Sequence, residues 1–104
     1  MQSCGAPNQE LFIVARFHAH EGQEEAAAVT LRLEVHDTML EDSGCVSIQA
    51  FRSTRDPRLF FIESRWVDEA AFESHIRKPH NLRFAESIAA MIDDELQPVR
   101  LRPI

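Results

Sequence analysis

Between residues 11 and 101 the apolar pattern switches between a two-residue period and a three-to-four-residue period. The order of those switches restricts the fold more than any other feature of the chain, because side chains alternate across a strand but recur by turns on a helix. Residues 11–19 (LFIVARFHA) open as an apolar run. They then alternate, with Ala15, Phe17 and Ala19 on one face and Arg16, His18 and His20 on the other. A strand apolar on both faces at its start is expected to be covered on both sides. Glu21 and Gly22 turn into a helix over 23–40, with acids in its first turn and an apolar stripe of Ala28, Leu31, Val35 and Met39. Asp42, Ser43 and Gly44 end it, with Gly44 a candidate for a left-handed cap or a turn.

A second strand over 45–52 and a third over 59–67 are joined by the polar turn 53–58 (STRDPR) and read as an antiparallel hairpin. Asp68 is placed to cap a helix over 69–77. Lys78-Pro79 interrupts it. A further helix is expected over 80–96, with Leu82, Ala85, Ile88, Ala89, Ile92 and Leu96 as its stripe, and a short strand over 99–101 closes the chain. Strand, helix, strand, strand, helices, strand is the split β-α-β-β-α-β order: an α+β, ferredoxin-like fold with an antiparallel sheet. Residues 1–10 are expected to be a flexible tail and residues 11–104 one domain.

At 104 residues the chain has a modest core of its own, so burial by self-association is expected to help it. A net charge of −6 argues against a nucleic-acid partner. Residues 1–10 show neither a basic segment nor an apolar one, so no leader is expected, and no apolar run approaches a membrane span. Cys4 and Cys45 form neither a disulfide framework nor a metal-ligand spacing. Cys45 is expected in the core. A reducing, cytoplasmic setting is the simpler expectation.

Several segments taken in order resemble the antibiotic biosynthesis monooxygenase family. They are Ala15-Arg16-Phe17, Glu21-Gly22-Gln23-Glu24-Glu25, Asp42-Ser43-Gly44-Cys45, Phe61-Ile62-Glu63-Ser64-Arg65-Trp66, Asp68-Glu69-Ala70-Ala71-Phe72-Glu73-Ser74-His75, and Pro79-His80 followed by Phe84. The resemblance covers roughly residues 11–102. It implies a homodimer, a dimeric α/β barrel in which two sheets pack face to face, and a pocket between each sheet and its helices. Members include cofactor-independent monooxygenases of quinols and polycyclic aromatics, haem-degrading enzymes and an isomerase of a signalling sugar phosphate, so the family defines the fold better than the activity.

The expected activity is cofactor-independent oxidation of a quinol-like or aromatic molecule by oxygen. The alternative is an isomerase or binding module for a non-aromatic metabolite. The haem-degrading branch uses an Asn on the first strand, and residues 11–19 contain none.

His75 and Trp66 are the expected catalytic side chains. His75 shares a helical face with Phe72 and Ile76 and titrates near neutrality, which suits a base. Its other reading is a buried neutral histidine bonded to a carbonyl. Trp66 could stack on a substrate or simply anchor the core. Phe17, Phe72, His80 and Phe84 are the expected substrate-binding residues, although core packing is the plainer reading of most phenylalanines and an exposed or capping role the commoner one for a residue placed like His80. The chain has no tyrosine, so no phenol can act as an acid. Arg16, His18 and His20 lack a completing carboxylate or thiolate, and no metal is expected there. Glu63 and Arg65 lie opposite Trp66 on their strand and suit an interface ion pair.

Overall fold

Alternation in the strands and helical periodicity between them produce the expected order. The structure, a computed structural model, describes residues 9–104. Its elements are β1 (Leu11–His18), α1 (Glu24–Glu41), β2 (Cys45–Arg52), β3 (Leu59–Trp66), α2 (Glu69–Ile76), α3 (Pro79–Ala89) and β4 (Val99–Leu101). The strands form one antiparallel sheet in the order β2-β3-β1-β4, the ferredoxin-like arrangement. Of the expected 1–10 tail, residues 1–8, Cys4 included, lie outside the described residues. Glu10 is tied to β3, where Arg65 Nη2 donates to its Oε2 at 2.6 Å.

Register decides what each sheet face carries. Leu11 pairs with Trp66, Ile13 with Ser64, Ala15 with Ile62 and Phe17 with Phe60, and this face is covered by the helices. Two apolar clusters form on it. Phe17, Phe60, Leu31, Phe84 and Ile88 belong to one. Leu11, Ile13, Trp66 and Phe72 make the other. The opposite face pairs Phe12 with Leu101, Val14 with Val99 and Phe51 with Phe61. It is left open: Val99 is 53% and Phe51 45% exposed.

Three helix expectations are corrected. On α1 the buried residues are Ala27, Ala28, Leu31, Glu34 and Thr38, while Met39 is exposed. This helix carries apolar residues all round, with Val29, Leu33 and Leu40 also exposed, so hydrophobicity alone could not choose the buried face. Gly44 does not take a left-handed conformation; among the described residues only Gly22 does, at φ 89°. Gly44 is required by packing instead, since a Cβ there would sit 2.4 Å from the Ala71 Cβ of α2.

The third correction concerns α3, which stops at Ala89 rather than running to Leu96. His20 N–H donates to Met91 O and Asp93 N–H to His18 O, so the chain leaves the helix to extend the end of β1. The buried residues of α3 are His80, Phe84 and Ile88, while Leu82 is exposed. The Asp68 cap forms as expected, its side chain accepting from Ala71 N–H at 2.9 Å. Cys45 is half-buried against the Trp66 cluster rather than within it. No helix of the described residues is long and apolar enough to cross a membrane.

Candidate functional site

Between the two apolar clusters the helix-covered face of the sheet is hollow. A cavity of about 540 Å³ lies there, floored by Ile13, Ala15, Ile48, Ile62 and Ser64 and roofed by α2 and α3. Its polar lining is sparse: Glu34, Ser64, His75 and Asn81, with Asp93, Asp94 and Glu95 among the remaining residues that border it. No lysine or arginine lines it.

The expected site residues divide into two groups. His75, Phe72 and Phe84 line the cavity. Trp66, Phe17 and His80 do not. Trp66 is wholly buried beneath it, in contact with His75 at 4.7 Å between ring centres, and its Nε1–H donates to Ser64 Oγ at 2.9 Å. Phe17 stacks on Phe60, 5.3 Å between centroids, within the other cluster. His80 is fully enclosed behind His75 rather than capping or exposed, their rings 5.4 Å apart.

Two acids that sequence reasoning missed organise both histidines. Asp42 Oδ2 accepts from His75 Nδ1–H at 2.8 Å and from His80 Nε2–H at 2.9 Å. Glu34 Oε1 lies 2.9 Å from His80 Nδ1, and its Oε2 lies 3.6 Å from His75 Nε2. Lys78 Nζ sits 3.0 Å from Asp42 Oδ1. All four central side chains are buried. The signal for the acids was their spacing: Glu34, Thr38 and Asp42 continue one face of α1 at intervals of four. Asp42 read naturally as the end of a helix, and it does occupy the C-cap position.

Each group titrates according to these neighbours. Burial would raise Asp42, but hydrogen bonds from His75, Lys78 and His80 outweigh it and hold the carboxyl below its usual range. Burial pushes Glu34 up to about 7, against a smaller opposing pull from His80. Burial lowers His75 below the ordinary histidine value, despite its bond to Asp42. His80 goes the other way: burial opposes its charge, yet Glu34 and Asp42 together raise it. The ionised Asp42 fixes the proton of His75 on Nδ1 and leaves Nε2 with a free lone pair on the Glu34 side.

Asp42, His75 and His80 present donor atoms within 4.8 Å of one another, the kind of set that can hold a cation. Here Lys78 already supplies positive charge to Asp42, and both ring nitrogens aim at the same oxygen. That is a hydrogen-bond array rather than a coordination shell.

The strand-one polar face does not form a site. His18 pairs with Asp56 at 2.9 Å and His20 with Asp93 at 2.5 Å, while Arg16 lies over the Phe61 ring. Arg65 turns to Glu10 rather than to Glu63.

The fold and the cavity define a small ferredoxin-like domain with a pocket between sheet and helices. The sequence profile of the antibiotic biosynthesis monooxygenase family matches residues 11–87, and the chain belongs to that family. Among curated proteins none matches. Solved structures share the fold closely. A Pseudomonas aeruginosa protein is 27% identical with a TM-score of 0.83, covering 92% of this chain and 95% of its own. A Mycobacterium tuberculosis protein is 19% identical with a TM-score of 0.84, covering 91% and 95%. A solved antibiotic biosynthesis monooxygenase is 21% identical with a TM-score of 0.83, covering 90% and 98%.

Proposed function

We propose that this domain is a cofactor-independent monooxygenase that oxidises a quinol-like or other hydroxylated aromatic molecule with oxygen, His75 acting as its base. The observation that carries the reading is the Asp42–His75 pair at 2.8 Å on the wall of an apolar 540 Å³ cavity. That volume suits a small polycyclic ring system. A neutral flat substrate also suits walls made of Phe72, Phe84 and branched aliphatics, with no basic residue to hold a phosphate.

In this reading His75 Nε2 takes the proton of the substrate hydroxyl, and the electron-rich phenolate reduces oxygen directly. One oxygen atom enters the ring as a new carbonyl. The other leaves as water, with the hydrogens of the ring C–H and of the hydroxyl. Trp66 does not touch the substrate; it packs against the imidazole and positions it. A homodimer is part of the proposal, because the open sheet face is apolar at Phe12, Val14, Phe51, Phe61 and Leu101 and a second copy would cover it. A cytoplasmic location fits as well, since Cys45 is a free thiol.

Oxygen uptake with a panel of dihydroxynaphthalenes, without added cofactor, tests the activity. The expected stoichiometry is one oxygen consumed per hydroxyquinone formed. His75→Ala is expected to slow turnover by about 10²–10⁴-fold, the usual worth of a positioned base. Absence of uptake across the panel, together with thermal stabilisation by sugar phosphates, would favour the isomerase or binding alternative instead.

A further inference from the structure

We infer that Glu34 is the general acid of this cavity, delivering the proton that lets the oxygen–oxygen bond break, with His80 and Asp42 as the positioning residues that aim it. This rests on the oxygenase reading above and deepens it.

The geometry supplies the argument. Glu34 is the one carboxyl that both lines the cavity beside His75 and touches the buried histidine pair. Its two oxygens face different partners. Oε1 accepts from His80 Nδ1–H at 2.9 Å, and Oε2 lies toward His75 Nε2 at 3.6 Å. His80 is in turn held by Asp42, so its Nε2–H is committed and its Nδ1–H is the group available to Glu34. With Oε1 engaged as an acceptor, an acidic proton on Glu34 resides on Oε2, on the His75 side.

The groups facing Glu34 are His80 of α3, His75 of α2, Asp42 beyond the end of α1, and Asp37 on its own helix. Burial outweighs the histidines and keeps the carboxyl protonated until about pH 7, while His75 is held neutral. A raised Glu34 and a lowered His75 leave a protonated carboxyl beside a neutral imidazole near neutrality, the protonation states that an acid and a base need.

The pair accounts for a step that a single base cannot complete. His75 hands the hydroxyl proton on to the ring-bound peroxide, so a hydroperoxide forms on a carbon that still carries hydrogen and the imidazole is neutral again. His75 Nε2 takes that C–H proton, and the released electron pair becomes the π bond of the new carbonyl. The O–O bond breaks, and the departing hydroxide takes the Glu34 proton to leave as water. The imidazolium of His75 then returns its proton to the Glu34 carboxylate across 3.6 Å, a separation that a small side-chain rotation closes. Oxygen is the only oxidant, and the site ends as it began.

The test is the product balance of Glu34→Gln, which keeps shape and the bond from His80 but has no proton to give. With a dihydroxynaphthalene the wild type is expected to make hydroxyquinone and water. The variant is expected to lose hydroxyquinone formation about 10²-fold or more. Oxygen consumption should then yield the plain quinone and hydrogen peroxide, a balanced two-electron oxidation that needs no O–O cleavage. The alkaline limb of the wild-type pH profile should vanish as well. Carboxyl carbon NMR on the wild type gives a readout independent of turnover: Glu34 is expected to titrate near neutrality.

Hydroxyquinone formation by Glu34→Gln at the wild-type rate without peroxide, or titration of Glu34 in the ordinary carboxylate range, would overturn the assignment of Glu34 alone. No oxygen uptake by the wild type would overturn the oxygenase reading, and this step with it.

Discussion

Asp42, its side chain only 3% exposed, takes hydrogen bonds from both histidines on Oδ2 and pairs with the Lys78 charge at Oδ1. Removing its charge while keeping its shape separates its roles. Asp42→Asn is expected to cost roughly 3 kcal/mol of folding stability in urea melts, the scale of a broken buried ion pair. It should also move His75 still further below the usual histidine range, because Asp42 is what partly holds that ring up. Histidine NMR titration reads this directly.

The pH dependence follows from the same residues. Folded Glu34 keeps its proton to about pH 7, whereas the unfolded chain releases it near 4.5. Glu34 therefore costs stability once pH rises past 4.5, up to about 3 kcal/mol above 7. His80, raised, adds in the same sense: its contribution is present below 6.5 and is lost as pH rises. His75 and Asp42, both lowered, act oppositely and weaken the fold as pH falls, through the histidine range and then below 3.8. Glu34→Gln is accordingly expected to gain on the wild type by about 3 kcal/mol between pH 5 and pH 8 in denaturant melts.

At the scale of elements, the site exists because the loop between α1 and β2 packs closely on α2. Gly44 permits that approach, since a Cβ there would collide with Ala71. Gly44→Ala is expected to destabilise the fold by about 1–3 kcal/mol through overpacking. Adding Ala71→Gly should recover part of that loss, so that the double variant is more stable than the sum of the single changes implies. A double-mutant cycle in urea checks it. The α2 cap matters for the same region, because α2 carries Phe72 and His75. Asp68→Ala is expected to cost about 1 kcal/mol, read by thermal melting.

The element order was legible from periodicity, because each period reports local geometry. The buried face of α1 was not, because Val29, Leu33 and Leu40 make the outer face as apolar as the inner. The early end of α3 was equally hidden. Residues 91–93 leave the helix for hydrogen bonds to the end of β1, a partner distant in sequence.

For the whole molecule, the decisive feature is an antiparallel sheet with one face under helices and the other open. Exposed Val99, Leu101 and Phe51 lie on that open face around Phe12, Val14 and Phe61. A stable pair needs about 800 Å² buried on each partner. The protein is expected to run at twice its 11.9 kDa chain mass in light scattering. Phe61→Arg, in the middle of the face, should shift it to monomer while leaving the circular dichroism of the helices intact. A monomeric wild type would reject the face-to-face arrangement.

The amino-acid sequence alone determined the ferredoxin-like order of elements, the Asp68 cap and the inward-facing position of His75, since each depends on neighbours a few residues away. It identified Phe72 and Phe84 as aromatic residues available to a pocket. Only the tertiary structure decided that Trp66, Phe17 and His80 stand behind the cavity wall, and that Glu34 and Asp42 meet His75 and His80 across 33 to 46 residues of chain. The reason is physical. A buried carboxyl is tolerated only where packing brings donors to it, and those donors come from helices whose approach is set by the sheet beneath them.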